Sequence, residues 1–268
     1  MPPPFSPITD PSDPRVEPFL QVRERDLVGR QGLFVAEGEV VLRHLLASPL
    51  CEPLALLAAR DRVARLLDLI GEQTVAAPIY VAEQGVMDAI VGFPIHRGLL
   101  GVGRRRETPS AETLLAGLGP RSVVVVVHGI GNHDNMGGIF RNAAAFGADA
   151  LLLDPSCCDP LYRKAIRVSV GAALIQPFAR LAPGEDMVAL LERHGFEVLA
   201  LSPSGAETLQ AYAPAQRTAI ILGAEGPGLP EAILARCRTL RIPMAGGFDS
   251  LNVATTSGVV LHHLAAGR

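Results

Sequence analysis

Five consecutive valines, Val123–Val127, constrain this chain more than any other stretch. A continuous apolar run of that length suits a strand buried on both faces, and such strands belong to parallel sheets covered by helices. Further strand-like runs follow at 150–153, 198–201, 218–222 and 239–242. Helical stretches alternate with them at 138–146, 162–170, 187–194 and 230–237, and a helix over 252–265 closes the chain. Strands alternating with helices predict an α/β fold with a parallel sheet.

The first half predicts a smaller α/β unit of about a hundred residues, a typical domain size. Leu33–Ala36 reads as a strand running into a helix over 39–47, where Val41/Leu45 and Leu42/Leu46 share one face at i, i+4. Strand candidates at 54–58 and 79–81, a helix over 63–70, and the stretches 86–90 and 98–103 continue a βαβ-like alternation. The Pro-rich residues 1–18 are expected to be extended or poorly ordered. Gly103–Ser110, with Arg104, Arg105 and Arg106 followed by Pro109 and Ser110, reads as a linker. The expected organisation is a domain over 1–106, a linker over 107–119 and a second domain over 120–268.

Charge narrows the function classes. The net charge is −3: residues 1–110 carry 12 arginines against 14 acidic residues, and residues 111–268 carry 12 basic against 13 acidic residues. Neither half is a basic nucleic-acid module by charge alone, so only local clusters can meet phosphate. Two such clusters stand out. Arg104, Arg105 and Arg106 suit either RNA phosphate or a solvated linker. Arg163, Lys164 and Arg167 share one helix, with 163 and 167 on one face; they suit RNA phosphate, an exposed surface or ion pairs at a subunit interface. Lys164 is the only lysine, a bias that fits a GC-rich genome. Cys51, Cys157, Cys158 and Cys237 form no CxxC spacing and read as buried thiols of a reducing compartment. No metal site is expected, since the adjacent His262 and His263 point to different faces of a helix. The N-terminus lacks a signal-peptide pattern and no apolar run is long enough to span a membrane, which predicts a cytoplasmic protein.

Three strand-end units carry the candidate chemistry: Val123–Arg141, Leu222–Leu229 and Ile242–Val253. Ligands of open α/β sheets bind at the carboxyl ends of the strands. A dinucleotide fingerprint needs a third glycine that Gly129-Ile130-Gly131-Asn132-His133-Asp134 lacks. No Walker A, HExxH, GxSxG or EF-hand pattern is present. What remains is a Gly-rich backbone site with few charges, where Gly223, Gly226 and Gly228 permit main chain to approach a flat ligand.

Asp134-Asn135-Met136-Gly137-Gly138-Ile139-Phe140-Arg141-Asn142-Ala143 resembles the first motif of the SpoU/TrmH class of SPOUT RNA methyltransferases. Leu222–Leu229 resembles the second, and Ile242-Pro243-Met244 through Ser250-Leu251-Asn252-Val253 the third, in the same order and spacing. The first half, through Phe34–Gly38 and Gly98–Val102, is similar to the L30e-like substrate-binding domain often found ahead of that catalytic domain. The resemblance implies a trefoil-knotted parallel-sheet domain after a smaller L30e-like α/β domain. It implies an obligate homodimer that transfers a methyl group from S-adenosylmethionine to a ribose 2′-hydroxyl of structured RNA, rRNA ahead of tRNA. By position, Leu222, Gly223, Gly226, Ile242, Met244, Leu251 and Val253 are implied to surround the methyl donor. Asn135, Arg141, Glu225, Ser250 and Asn252 are implied to form the polar active site. Asn142, Ala254 and His263 depart from the usual Thr, Ser and acidic residue.

The family's usual candidate for deprotonating the ribose is Arg141, but guanidinium stays protonated in proteins. Arg141 is better suited to clamp a neighbouring phosphate and stabilise developing alkoxide charge, leaving Glu225 or a phosphate oxygen to take the proton. Bland readings stand beside these: Arg141 on a solvated helix face, Glu225 as a helix-start carboxylate and His133 as a polar loop residue. The competing functions are an RNA-binding or ribosome-assembly factor with a vestigial methyl-donor pocket, and a nucleotide-dependent Rossmann enzyme.

Overall fold

A computed structural model describes residues 5–20, 32–71, 75–224 and 226–266. The chain divides into two compact units. The first comprises residues 1–107 with 161–175; the second comprises 108–160 with 176–268.

In the first unit, β1 (Phe5–Ile8), β2 (Leu33–Glu37), α1 (Glu39–Ala47), β3 (Cys51–Ala59), α2 (Val63–Ile70), β4 (Ile79–Ala82), α3 (Gln84–Val91) and β5 (Leu99–Arg105) follow in order. Its five-stranded sheet runs β1-β4-β3-β5-β2. The β3-α2-β4 unit is parallel, as the alternation predicts, but β5 is antiparallel to both β2 and β3, so the sheet is mixed.

Two expectations are corrected here. Residues 5–8 form edge strand β1, paired in parallel with β4, and a 3₁₀ helix over Pro14–Phe19 buries Val16 and Phe19 completely. The Pro-rich composition hid this because Pro7 sits on a sheet edge, where a missing N–H costs no ladder bond. Arg104 and Arg105 lie in β5 rather than in a linker, opposite Glu52 and Cys51.

The second unit begins inside the stretch expected to be linker. Residues 111–116 form α4 (Ala111–Ala116), capped by the Ser110 hydroxyl, which accepts from the Thr113 N–H at 3.1 Å. Ala111 and Leu115 are buried in that unit's core, so the segment is packed, not a spacer. Then come β6 (Ser122–Val127), α5 (His133–Ala145), β7 (Ala150–Leu153), α6 (Arg163–Val168), β8 (Phe178–Arg180), α7 (Met187–Arg193), β9 (Glu197–Leu201), β10 (Glu207–Thr208), β11 (Arg217–Leu222), α8 (Glu231–Leu234), β12 (Arg238–Arg241) and α9 (Val253–Ala265). Helix α6 belongs to the first unit, although its sequence lies within the second.

Seven strands form one sheet in the order β10-β12-β9-β11-β6-β7-β8, with every described pairing parallel. All six residues of β6 are buried, as the valine run requires of a central strand. No described helix is long and apolar enough to cross a membrane.

Helices α5 and α9 pack unusually closely. A Cβ on Gly138 would lie 2.6 Å from the Cβ of Ala254. The Asn142 amide donates to the Ala254 carbonyl at 2.7 Å and to the Ser257 hydroxyl at 2.9 Å. His263 Nε2 donates to the Tyr212 carbonyl at 2.8 Å, tying the far end of α9 to the unit. The three family departures, Asn142, Ala254 and His263, therefore all serve the seating of α9. Gly138→Val is expected to destabilise the chain by about 1–3 kcal/mol, the usual range for overpacking, as measured by urea unfolding. An unchanged midpoint would contradict the close packing.

Candidate functional site

The site is built at the carboxyl ends of three adjacent parallel strands. β9 ends at Leu201, β11 at Leu222 and β12 at Arg241, and the loops that follow enclose a cavity of about 480 Å³. That volume lies in the usual range for small-molecule sites, roughly 300–1,000 Å³.

The loop after β11 forms one wall. It folds back so tightly that a Cβ on Gly223 would stand 2.6 Å from the backbone carbon of Gly228. The Gly228 N–H donates to the Ala224 carbonyl at 3.0 Å and closes the turn. Gly226 takes φ +88°, a left-handed conformation that side chains disfavour. The loop after β12 forms another wall and ends at Asn252, the N-cap of α9. The Asn252 side-chain oxygen Oδ1 accepts from the N–H groups of Ala254 and Thr255 at 3.0 and 3.1 Å. Its oxygen thus engaged, the Asn252 amide donates to Oδ1 of Asn135 at 2.8 Å. Asn135 is buried in the first turn of α5. One hydrogen bond thus ties the loop of the third motif to the helix of the first.

All seven residues expected around a methyl donor, Leu222, Gly223, Gly226, Ile242, Met244, Leu251 and Val253, line this cavity, as do Ser250 and Asn252. Asn135 reaches it through Asn252. Arg141 lies farther along α5, is exposed, and does not line the cavity. Glu225 lies outside the described residues.

The basic clusters fare differently. Arg163 Nη2 stands 2.5 Å from Glu37 Oε2, both side chains are largely buried, and its guanidinium lies 5.1 Å from the Phe93 ring centroid. Arg163 is therefore spent inside the first unit and is not presented to phosphate. Lys164 and Arg167 are exposed on the same helix. Arg104 pairs with Glu52, which also has Arg106 within 3.8 Å; Arg105 is half-buried in β5. Helix α6 and strand β5 belong to the same unit, so both clusters do too.

The end of β9 contributes Leu201, Ser202 and Pro203 to the cavity, which the motif pattern did not single out. No motif marks them; they arrive because β9 lies between β11 and β12. A second unforeseen feature is the meeting of His128 and Asp154, one residue beyond the paired ends Val127 and Leu153 of β6 and β7. His128 Nδ1 lies 2.5 Å from Asp154 Oδ2. Asp154 also accepts from the Gly129 N–H at 2.8 Å and from the N–H and hydroxyl of Ser156, both at 2.6 Å. Burial pushes the Asp154 pKa up, but these donors and His128 outweigh it and hold the carboxyl below its ordinary value. The thiols beside it behave oppositely: burial pushes Cys157 and Cys158 up to about 11, so both stay protonated and unreactive at neutral pH.

A carboxyl depressed in the folded state adds stability above its unfolded pKa of about 3.9, and that stability is lost as pH falls through the folded value. Asp154→Asn should therefore lower Tm most near neutrality, with the gap to the native protein closing below about pH 4. A gap that stays constant from pH 7 to pH 3 would show that Asp154 is not preferentially ionised in the fold.

The SpoU rRNA Methylase family model matches residues 122–262. An uncharacterised tRNA/rRNA methyltransferase of Mycobacterium bovis is 39% identical over 97% of this chain and 94% of its own length. The 23S rRNA (guanosine-2'-O-)-methyltransferase RlmB of Nitrosomonas europaea is 28% identical over 75% of this chain and 78% of its own. Among solved structures, an AdoMet-bound rRNA methyltransferase from Sinorhizobium meliloti superposes with a TM-score of 0.80 at 22% identity, covering 98% of both chains.

Proposed function

This chain belongs to the SpoU rRNA methylase family, and we propose that it transfers a methyl group from S-adenosylmethionine to a ribose 2′-hydroxyl of rRNA. The observation that carries the proposal is the backbone-walled cavity at the ends of β9, β11 and β12, tied to α5 by the Asn252–Asn135 hydrogen bond. The residues present suit the methyl donor. Gly223 lets the wall fold back on Gly228, where any Cβ would clash, and Leu222, Ile242, Met244, Leu251 and Val253 offer apolar surface beside glycine-rich main chain suited to reading a base edge. S-adenosylmethionine supplies an activated methyl group when bound.

The protein's share of the work is to position and to stabilise charge. In-line placement can lower a barrier by about 7–11 kcal/mol. Asn252 is held by its cap bonds and Asn135 by Asn252, so the polar rim that includes Ser250 is preorganised. Arg141 makes no ion pair among the described residues and is assigned to clamp a phosphate beside the reacting ribose, stabilising the developing alkoxide. The proton goes to Glu225 or to a phosphate oxygen. The reading includes a homodimer, a cytoplasmic location, a trefoil knot and an L30e-like first unit that selects the RNA. Lys164 and Arg167, with the 104–106 cluster, are assigned to RNA phosphate. The choice of rRNA draws on the Nitrosomonas relative, a 23S rRNA methyltransferase.

The direct test incubates the protein with methyl-labelled S-adenosylmethionine and separate rRNA and tRNA pools lacking the modification, then digests to nucleosides. Label in a 2′-O-methylnucleoside from rRNA is expected. Cofactor binding without transfer to either pool would favour the assembly-factor reading instead. Arg141→Ala should lower the transfer rate on the order of 10²–10³-fold, as loss of one charge-stabilising donor does, while calorimetry finds cofactor affinity unchanged. Weakened cofactor binding would refute the role given to Arg141.

A further inference from the structure

Phe248 is the one large aromatic side chain exposed among the described residues, with 70% of its surface open to solvent. The chain has no Trp and only 4% aromatic residues, and its other described aromatics are buried or half-buried. An exposed large apolar side chain is the informative exception to the rule that such groups pack inside. This one has no part in either core.

Its setting is specific. Residues 245–250 are all exposed, and Asp249 and Ser250 at the end of this segment line the cavity. Gly246 and Gly247, at φ +67° and +72°, turn the chain, and the Phe248 N–H donates to the Ala245 carbonyl at 3.2 Å. Asp249, Ser250 and Leu251 line the cavity, whereas Phe248 does not. Phe248 is therefore open to solvent and directly precedes, in the chain, residues that line the cavity.

We propose that Phe248 is a stacking platform for a nucleobase of the RNA substrate, at or next to the nucleotide being methylated. The proposal rests on the methyltransferase reading above. A flat ring beside the cavity matches an unstacked base, which RNA-binding proteins commonly hold on aromatic faces. The neighbours exclude other partners. In the chain Phe248 is flanked by Gly246, Gly247, Asp249 and Ser250, and Leu251 is the one other exposed large hydrophobic residue among the described residues 226–266 apart from Val259 on α9. A protein interface needs a far larger continuous surface. The Asp249 carboxylate disfavours phosphate at this spot, which leaves the uncharged face of a base as the fitting ligand.

The test compares the native chain with Phe248→Tyr, Phe248→Leu and Phe248→Ala. The RNA probes are rRNA and tRNA transcripts of the source organism made in vitro, and therefore unmethylated. RNA affinity is read with S-adenosylhomocysteine present, transfer by single-turnover labelling, cofactor affinity by calorimetry and mass by light scattering. Phe248→Ala and Phe248→Leu are expected to weaken RNA affinity about 5- to 100-fold, the range for loss of one stacked base. Phe248→Tyr should retain it, and cofactor affinity and mass should not change. Unaltered RNA affinity in Phe248→Ala overturns the proposal. So does a fall in cofactor affinity, which would make the ring part of the donor pocket, or a change in mass, which would make it a subunit contact. A native chain that neither binds nor methylates any transcript overturns the functional reading and this proposal together.

Discussion

Helices α5 and α9 touch through a glycine and an alanine, and that contact governs where the site's polar groups can be. With Gly138 against Ala254, the helices approach closely enough for Asn142 to reach the α9 backbone. The same approach brings the two N-terminal ends together, so that Asn252 meets Asn135. The contact is made between residues 135–142 and 252–258, more than a hundred positions apart. A substitution in either helix thus acts on the loop of the other motif through one seam.

The cavity is lined by the ends of strands and by turns rather than by a cluster of charges. That choice has a physical logic. Backbone groups fixed by sheet and turn geometry need no rotamer ordering when a ligand arrives, and glycines let them come close to it. The Gly223–Gly228 fold-back is a wall made by omission of side chains.

Beside this wall, the end of the sheet is held by polar contacts that have no role in the proposed chemistry. Asp154 gathers donors from Gly129, Ser156 and the approach of His128. Arg180 Nη1 donates to the carbonyls of Asp154 and Cys157 at 3.1 and 2.8 Å. Together they fix the turns after β6 and β7. The protonated thiols of buried Cys157 and half-buried Cys158 lie in the same turn.

What could be read from residues alone was whatever depended on local pattern. The valine run announced a central parallel strand, and the i, i+4 apolar pairs announced α1. The Gly- and Pro-rich strand-end loops pointed to a site at the carboxyl edge, and their residues line the cavity that forms there. Pairing between distant segments was not legible. Edge strand β1 is short and carries Pro7, and its existence depends on β4 offering a free edge. The segment 161–175 reads as a continuation of the second domain, yet it packs with the first, where Glu37 takes up the charge of Arg163. A run of basic residues has the same appearance in a sequence whether it faces solvent or an ion-pair partner, because the partner comes from another part of the chain. The neighbours of β9, the meeting of His128 with Asp154 and the exposure of Phe248 likewise follow from strand order and loop placement. Local sequence set which segments were strands, helices and turns, through periodicity and backbone freedom; the tertiary structure decided which side chains met, through the packing of segments far apart in the chain.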